Sequence, residues 1–531
     1  MNIKTSKVIT ILVSGIGIIL AAVILTLSII TLVKVNKKID AIHSNNQRSI
    51  DNLKERQHLS DSILVSSIRI EEVMSHLNEL QRIANISNGT RAVSTVGFNR
   101  TLDFITNYLT ANTNFKVTRT LFTVIQKRLA RSPILLTSIN EYTTSIQFTN
   151  PIELTLIPNL GCSDNDWRRA NPLPAGRVAL VKRGDCTFVE KSILATKYKV
   201  TGLLIYNDGT SDDRRSPIFT ALGENNTLPA LFLSFQLGQK LADAAQRKAG
   251  SVRILMNIKQ SHDSPFLSGN ICADTPTGDS TQTIIIGSHS DSVLEGPGIN
   301  DNGNGSAANL ALAVALARLF RTPSYPKYRY RVRFCWWGAE EIGLLGSDHH
   351  VKQAKNSSIV GERLSDYLIN LNYDMLASPN YIFGIYDAHT ARNDTPVHAL
   401  PGSHRITSLF KDWFIQQNLP WDYTDFSGRS DYGPFLAEGI VAGGLFSGGI
   451  PDIMQDPCYH KACDSIENIN VYAYEKMIRA AAYALEYLGR QEDLKTWLYP
   501  SKEIKKFMGR SQLPSKRQYN SINEFFNLAY F

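Results

Sequence analysis

Three apolar runs of strand length recur in the second half of the chain, Ile284–Gly287, Arg331–Trp337 and Leu368–Tyr373. They are rich in apolar and aromatic residues, as expected of strands buried on both faces. Ala307–Phe320, between the first two, is strongly helical and contains no Gly or Pro; Tyr472–Leu488 reads as a closing helix. Short strands alternating with helices constrain this region to an α/β fold, a mostly parallel mixed sheet with helices on both faces. Ligands of such sheets bind outside the carboxyl ends of the strands. Reactive side chains are therefore expected just after each run.

They occur there. Ser288-His289-Ser290-Asp291 follows the first run, Gly338-Ala339-Glu340-Glu341 the second and Asp374 the third. Gly298-Ile299-Asn300-Asp301-Asn302-Gly303 lies between the first two, and Asp456-Pro457-Cys458-Tyr459-His460-Lys461-Ala462-Cys463-Asp464 comes late. Each string alone is ordinary; an Asn-Asp-Asn-Gly run reads as a turn. Their convergence on one cleft is what points to a site. His, Asp and Glu without a Cys cluster suit a hard-to-borderline divalent metal. Two His and at least three carboxylates exceed the needs of one tetrahedral catalytic zinc. They fit two metals ~3.5–4 Å apart that share a carboxylate.

The strings around His289, Asp301, Glu340–Glu341, Asp374 and His460 resemble the two-zinc exopeptidases of the M28 peptidase family. The likeness runs from about residue 70 to 490 and is strongest to secreted bacterial and yeast aminopeptidases. It implies the zinc-exopeptidase fold, two Zn²⁺ per chain and peptide substrates. His289 and Asp374 would hold one zinc, Glu341 and His460 the other, and Asp301 would bridge them. Glu340 would be the general base, Tyr459 would lie near the oxyanion, and Asp291 would orient His289. The backbone around Arg429 would hold the substrate's amino end. A Cys458–Cys463 bridge would fix the loop presenting His460.

Residues 140–262 have a different texture, with strand-like runs at Val178–Val181, Leu203–Tyr206 and Ala230–Leu233 between helical stretches at Phe188–Lys197 and Leu237–Gln246. With the turn Arg183-Gly184-Asp185-Cys186, this segment resembles the protease-associated (PA) domain, a β-rich insert of several peptidase families. The resemblance implies a Cys162–Cys186 bridge and a structural or substrate-shaping role. The catalytic domain would then comprise residues 71–139 and 263–490. Its first part has a helical pattern at Glu71–Ile83, a second helix at Leu102–Leu109, and strands at Phe115–Val117 and Leu121–Ile125. Residues 491–531 form a C-terminal tail.

The amino-terminal part is of another kind. Val8–Val33 carries no charge, and its 26 positions at ~1.5 Å each exceed the ~30 Å bilayer core. The apolar core of a cleaved signal peptide is shorter, ~7–15 residues. A transmembrane signal-anchor at 8–33 is expected, followed by a helical stalk at 34–70 that serves as a solvated spacer or a coiled-coil seam. Lys4 and Lys7 before the run are matched by Lys34, Lys37 and Lys38 after it, so flanking charge leaves orientation open. Asn85, Asn88, Asn99, Asn225, Asn356 and Asn393 each begin an Asn-x-Ser/Thr glycosylation triplet. With the implied bridges, they favour an extracellular or lumenal body.

Composition narrows the partners. Apolar residues at 43% and charged residues at 20% exclude a disordered chain. A net charge of +8 over 531 residues, with no long Lys/Arg run, argues against nucleic acid. Three alternatives share the fold: a receptor-like relative without activity, a glutamate carboxypeptidase-like enzyme, and glutaminyl cyclase. The complete ligand set opposes the first. The short sequence after Leu488 opposes the second, and the insert with His289 and Asp301 opposes the third. Pro434–Gly449, apolar with one Glu and no Lys or Arg, is expected near the specificity pocket.

Overall fold

The computed structural model describes residues 62–500, apart from 125–126, 130–133, 138–151, 185, 211–213, 218–221, 223–227, 258–259, 263–264, 393–394 and 449–455. The run Val8–Val33, nearly all of the expected stalk, Asn225, Asn393 and residues 501–531 lie outside the described residues. Among the described residues, no helix is long and apolar enough to cross a membrane. The chain divides into two units, Met1–Ser66 and Ser67–Phe531. The second holds everything that follows.

Its main sheet has eight strands: β1 (Lys116–Val124), β2 (Phe266–Asp274), β3 (Asp279–His289), β4 (Tyr330–Trp337), β5 (Tyr367–Asp374), β6 (Gly384–Tyr386), β7 (Asp422–Thr424) and β8 (Val441–Phe446). They lie in the order β1-β2-β4-β3-β5-β8-β6-β7. The central strands β4, β3, β5 and β8 are parallel. The sheet is mixed because β1 and β2 join antiparallel at one side and β6 runs antiparallel to β8 at the other. The two short strands expected at 115–117 and 121–125 are one nine-residue strand. Its polar centre, Thr118-Arg119-Thr120, is tolerated because β1 is an edge strand, largely exposed.

Helices cover both faces. They are α1 (Ile70–Asn85), α2 (Val96–Asn112), α3 (Asn304–Arg321), α4 (Leu345–Asn356), α5 (Leu400–Gln416) and α6 (Val471–Gly489). The buried face of α1 is Val73, Leu77, Leu80, Ile83 and Ala84, the spacing read from the sequence. The Thr95 side chain caps α2 by accepting from the Phe98 N–H. Ile285, Cys335 and Trp337 face one way and pack with Val351, Ala354, Tyr367 and Phe435. Trp336 faces the other way and donates to the Ser306 carbonyl of α3. Chain direction reverses between β3 and β5: from β3 the chain crosses to β4 on one side, and from β5 it continues toward β8 on the other. A cleft is expected at such a switch point.

The insert has its own six-stranded sheet, ordered Ile134–Thr137, Arg253–Asn257, Ile152–Leu156, Val178–Lys182, Gly202–Tyr206 and Ala230–Leu233. It is an α/β layer structure more than a β-rich one. Val178–Val181 and Leu203–Ile205 are buried on both faces. Leu180 and Leu204 pack with Leu241 and Ala242 of the helix Phe235–Arg247. Ala179 and Val181 pack with Phe188 and Ala195 of the helix Phe188–Lys197.

All six cysteines are paired. Cys162–Cys186 and Cys458–Cys463 match the pairs implied by the resemblance, and Cys272–Cys335, not anticipated, ties β2 to β4 at a directly opposed register position. Leu371, in the middle of β5, is fully buried. Leu371→Ala is expected to cost about 2–5 kcal/mol through the cavity it leaves, measured by chemical denaturation.

Candidate active site

The carboxyl ends of β3, β4 and β5 deliver His289, Glu340–Glu341 and Asp374 to the switch point. Asp301 comes from the turn Ile299–Gly303, which runs directly into α3. Gly298 opens that turn at φ 58, and a Cβ there would sit 2.4 Å from the Asp301 carbonyl oxygen. Only glycine fits both demands. His460 comes from the loop closed by Cys458–Cys463, with Tyr459 stacked on its ring at 3.9 Å between centroids. Ala339, Met375 and His460 all have left-handed backbones, with φ of 63, 52 and 54. Such angles are costly without glycine and persist where surrounding structure imposes them.

One carboxylate joins two groups of donors. Asp301 Oδ1 lies 3.3 Å from His289 Nε2, and Asp301 Oδ2 lies 3.0 Å from His460 Nε2. Asp374 Oδ1 is 3.5 Å from His289 Nε2, and Glu341 Oε2 is 3.1 Å from His460 Nε2. Glu340 Oε2 stands 3.9 Å from His289 Nε2. Donor atoms of His289, Glu340 and Asp374 lie within 4.8 Å of one another, as do those of His289, Asp301 and Glu341.

His289 Nε2, Asp374 Oδ1, Glu341 Oε1 and His460 Nε2 are buried without a hydrogen-bond partner. Four orphaned donor atoms converging among carboxylates fit a bound cation, because buried charge is otherwise left unpaired. Burial, reinforced by the nearby Asp301 carboxylate, pushes Glu341 up to about 7. Burial also holds Glu340 well above the ordinary carboxylate range. Burial alone would lower the His460 imidazole, but the Glu341 and Asp301 carboxylates outweigh it and raise the ring to about 10.

Residues behind the donors hold them. The Asp291 carboxylate lies 3.5 Å from His289 Nδ1 and accepts from the backbone N–H groups of Glu340 and Glu341 at 3.2 and 3.4 Å. It therefore links β3 to the loop after β4. Ser430 Oγ donates to Asp374 Oδ2 at 2.6 Å and accepts from Asn372 Nδ2 at 2.8 Å. Asp464 accepts from the N–H groups of Asn300 and Asp301 at 2.7 and 3.0 Å. Asp464 ends a string flagged from the sequence and Ser430 follows Arg429, but neither was itself assigned a role there.

The PA domain description matches residues 149–241, and the description "Peptidase family M28" matches residues 270–485. An aminopeptidase of Pseudomonas aeruginosa (strain UCBPP-PA14) is 31% identical over 457 residues, covering 79% of this chain and 81% of its own. The chain belongs to peptidase family M28. Aminopeptidase Y of Saccharomyces cerevisiae is a second relative of this M28 peptidase, 30% identical over 454 residues, covering 81% of this chain and 80% of its own. Among solved structures, an aminopeptidase from Aneurinibacillus sp. strain AM-1 shares the fold with a TM-score of 0.58 at 22% identity, covering 80% of this chain and 95% of that one. BSAP, a zinc aminopeptidase from Bacillus subtilis, does so with a TM-score of 0.51 at 20% identity, covering 81% and 98%.

The structure brings His289, Asp291, Asp301, Glu340, Glu341, Asp374, Tyr459 and His460 of the M28 peptidase together. Arg429 is half-buried in the loop leading to Ser430. Within Pro434–Gly449, expected near the specificity pocket, Val441–Phe446 is β8, buried along its whole length, and Phe435 and Leu436 are core. Phe446, the last residue of β8, is paired in register with Asp374. Asn85, Asn88, Asn99 and Asn356 are exposed.

The buried charges predict a pH signature for the metal-free protein. Burial raises Asp464 to about 8, and His460 stands at about 10. From pH 7 to 10 the folded state thus holds protons that the unfolded state has already lost, so stability falls as pH rises. His76, His350 and His404, pushed down by burial to about 4, 3 and 4, act only below this window. Thermal unfolding of metal-stripped protein is expected to show this decline. Adding Zn²⁺ should flatten it.

Proposed function

We propose that this chain is a membrane-anchored aminopeptidase with two zinc ions, removing uncharged N-terminal residues from peptides. One observation carries the reading: the two oxygens of Asp301 face two different imidazoles, each with a further carboxylate beside it. His289 and Asp374 would hold one ion, Glu341 and His460 the other, and Asp301 would serve both. When bound, zinc supplies Lewis acidity, which polarises the scissile carbonyl and makes water acidic enough to attack near neutral pH.

The chain's own residues do the rest. Glu340 takes the proton of the attacking water and passes it to the leaving amine. Burial keeps the Tyr459 hydroxyl well above its ordinary pKa, so it remains a donor toward the developing oxyanion. Asp291 keeps the His289 ring oriented. The four carboxylates Asp301, Glu340, Glu341 and Asp374 nearly balance two divalent cations, leaving little attraction for a substrate carboxylate. Gripping a terminal carboxylate calls for a positioned Arg or Lys. Lys461 Nζ instead donates to the Pro457 carbonyl of its own loop. The backbone at Arg429 is assigned to the substrate's amino end.

The relatives are named aminopeptidases, and one from Aspergillus oryzae, 34% identical over 359 residues, is named a probable leucine aminopeptidase 2. The uncharged run Val8–Val33 supports an anchor. Three disulfides support a body outside the reducing cytosol. A glycosidase-sensitive mass shift of the expressed chain tests that placement, and an unglycosylated, fully reduced body would reject it.

Activity on Leu-nitroanilide is expected, and acetylating its α-amine should abolish turnover. Equal cleavage of the blocked substrate would reject the aminopeptidase reading. Glu340→Gln is expected to keep its zinc content while activity falls by ~10²–10⁴. Glu341→Gln should lose metal as well. Metal analysis of both variants alongside turnover separates base from ligand.

A further inference from the structure

Arg91 lies between α1 and α2, outside the region matched to the family description, and is fully buried. Its guanidinium contacts neither substrate-facing group nor ligand side chain. Nε donates to the Pro297 carbonyl at 2.9 Å, Nη1 to the Ser290 carbonyl at 2.6 Å and Nη2 to the Gly298 carbonyl at 2.6 Å. These carbonyls begin and end the connection between His289 and Asp301, which contains no helix or strand from Ser290 to Gly298. Its backbone would otherwise have few internal bonds to set its shape.

The docking extends beyond the guanidinium. The Arg91 N–H donates to Ser292 Oγ at 3.0 Å, and Thr90 Oγ1 donates to the Val293 carbonyl at 2.7 Å. Gly97 of α2 makes room for this approach, since a Cβ there would sit 2.1 Å from the Thr90 carbonyl oxygen. Burial works against its charge, and the carboxylates of Asp291, Asp464, Glu341 and Asp301 offset part of that cost. A planar guanidinium with five donors can serve three carbonyls on different sides at once, whereas an ammonium concentrates its donors on one atom.

We propose that Arg91 is a positioning residue of the metal site, fixing the spacing between His289 and Asp301 through the carbonyls of Ser290, Pro297 and Gly298. The proposal rests on the metal reading above. Arg91→Lys keeps the charge and loses the fork. Metal-stripped wild type, Arg91→Lys and Arg318→Lys are titrated with Co²⁺, following visible absorption, and each is melted to check folding. Arg318 pairs with Glu72 through two bonds of 2.9 Å near the far end of α3, so Arg318→Lys breaks a comparable fork away from the site.

Arg91→Lys is expected to fold, to bind Co²⁺ ~10–100-fold more weakly, and to show an altered cobalt spectrum. Its kcat on Leu-nitroanilide should fall with little change in KM. Arg318→Lys should match wild type in affinity and spectrum. Wild-type affinity and spectrum in folded Arg91→Lys overturn the role of Arg91 and leave the metal reading standing. Wild type that binds no Co²⁺ overturns the metal reading and this proposal with it. If Arg91→Lys does not fold, Arg91→Gln, which removes the fork and its charge and keeps a single neutral amide donor in the buried position, takes its place. Unchanged cobalt affinity there overturns the proposal.

Discussion

The structure is organised around a concentration of buried carboxylates that cannot all be ionised without compensating positive charge. Asp301, Glu340, Glu341 and Asp374 share a small space with two imidazoles. Burial and mutual repulsion hold Glu340 and Glu341 well above the ordinary carboxylate range. Such a cluster is costly in a bare protein, and a bound divalent cation would remove that cost by satisfying charge and orphaned donor atoms together. The same property would make the site useful, because a cation held by fixed carboxylates supplies Lewis acidity.

Rigidity in the donors comes from ordinary parts of the fold. Three of the clustered side chains, His289, Glu341 and Asp374, sit at the ends of central parallel strands, whose register is set by neighbours on both sides. The others sit on loops that need separate support. Asp464 holds the turn of Asp301, the Cys458–Cys463 bridge closes the loop of His460, and Arg91 clamps the connection between His289 and Asp301. Cys272–Cys335 ties β2 to β4 near the end of the strand that leads into Glu340 and Glu341. Several buried acids have structural tasks here. Asp291 is one, since the same carboxylate faces His289 and accepts from the backbone of both glutamates.

The insert contributes no member of the charged cluster. Its sheet is covered on both faces by its own helices and has its own core. Among the described residues, the clustered side chains come instead from strand ends, a turn and a loop of the other sheet's domain.

Much of the site was legible in the sequence because its signals are local. An apolar run followed by His or Glu marks a strand end, and Gly298–Gly303 announces a turn through its own glycines and asparagines. The helices α1, α3 and α6 were legible too, α1 from a regularly spaced buried face and the other two as long helical runs, α3 being buried continuously from Asn304 to Ala317. Other features depend on residues distant in the chain. Arg91 acts on a carbonyl 199 positions away, and nothing beside it in sequence marks it as more than a loop residue. Cys272 and Cys335 pair because β2 and β4 become neighbours in register. Val441–Phe446 is buried along its whole length because β8 lies between β5 and β6. Local sequence thus determined which groups could do chemistry and on what kind of element each sits. Only the tertiary structure decided how far apart they stand and what holds them, because those distances arise from packing between segments that share no local pattern.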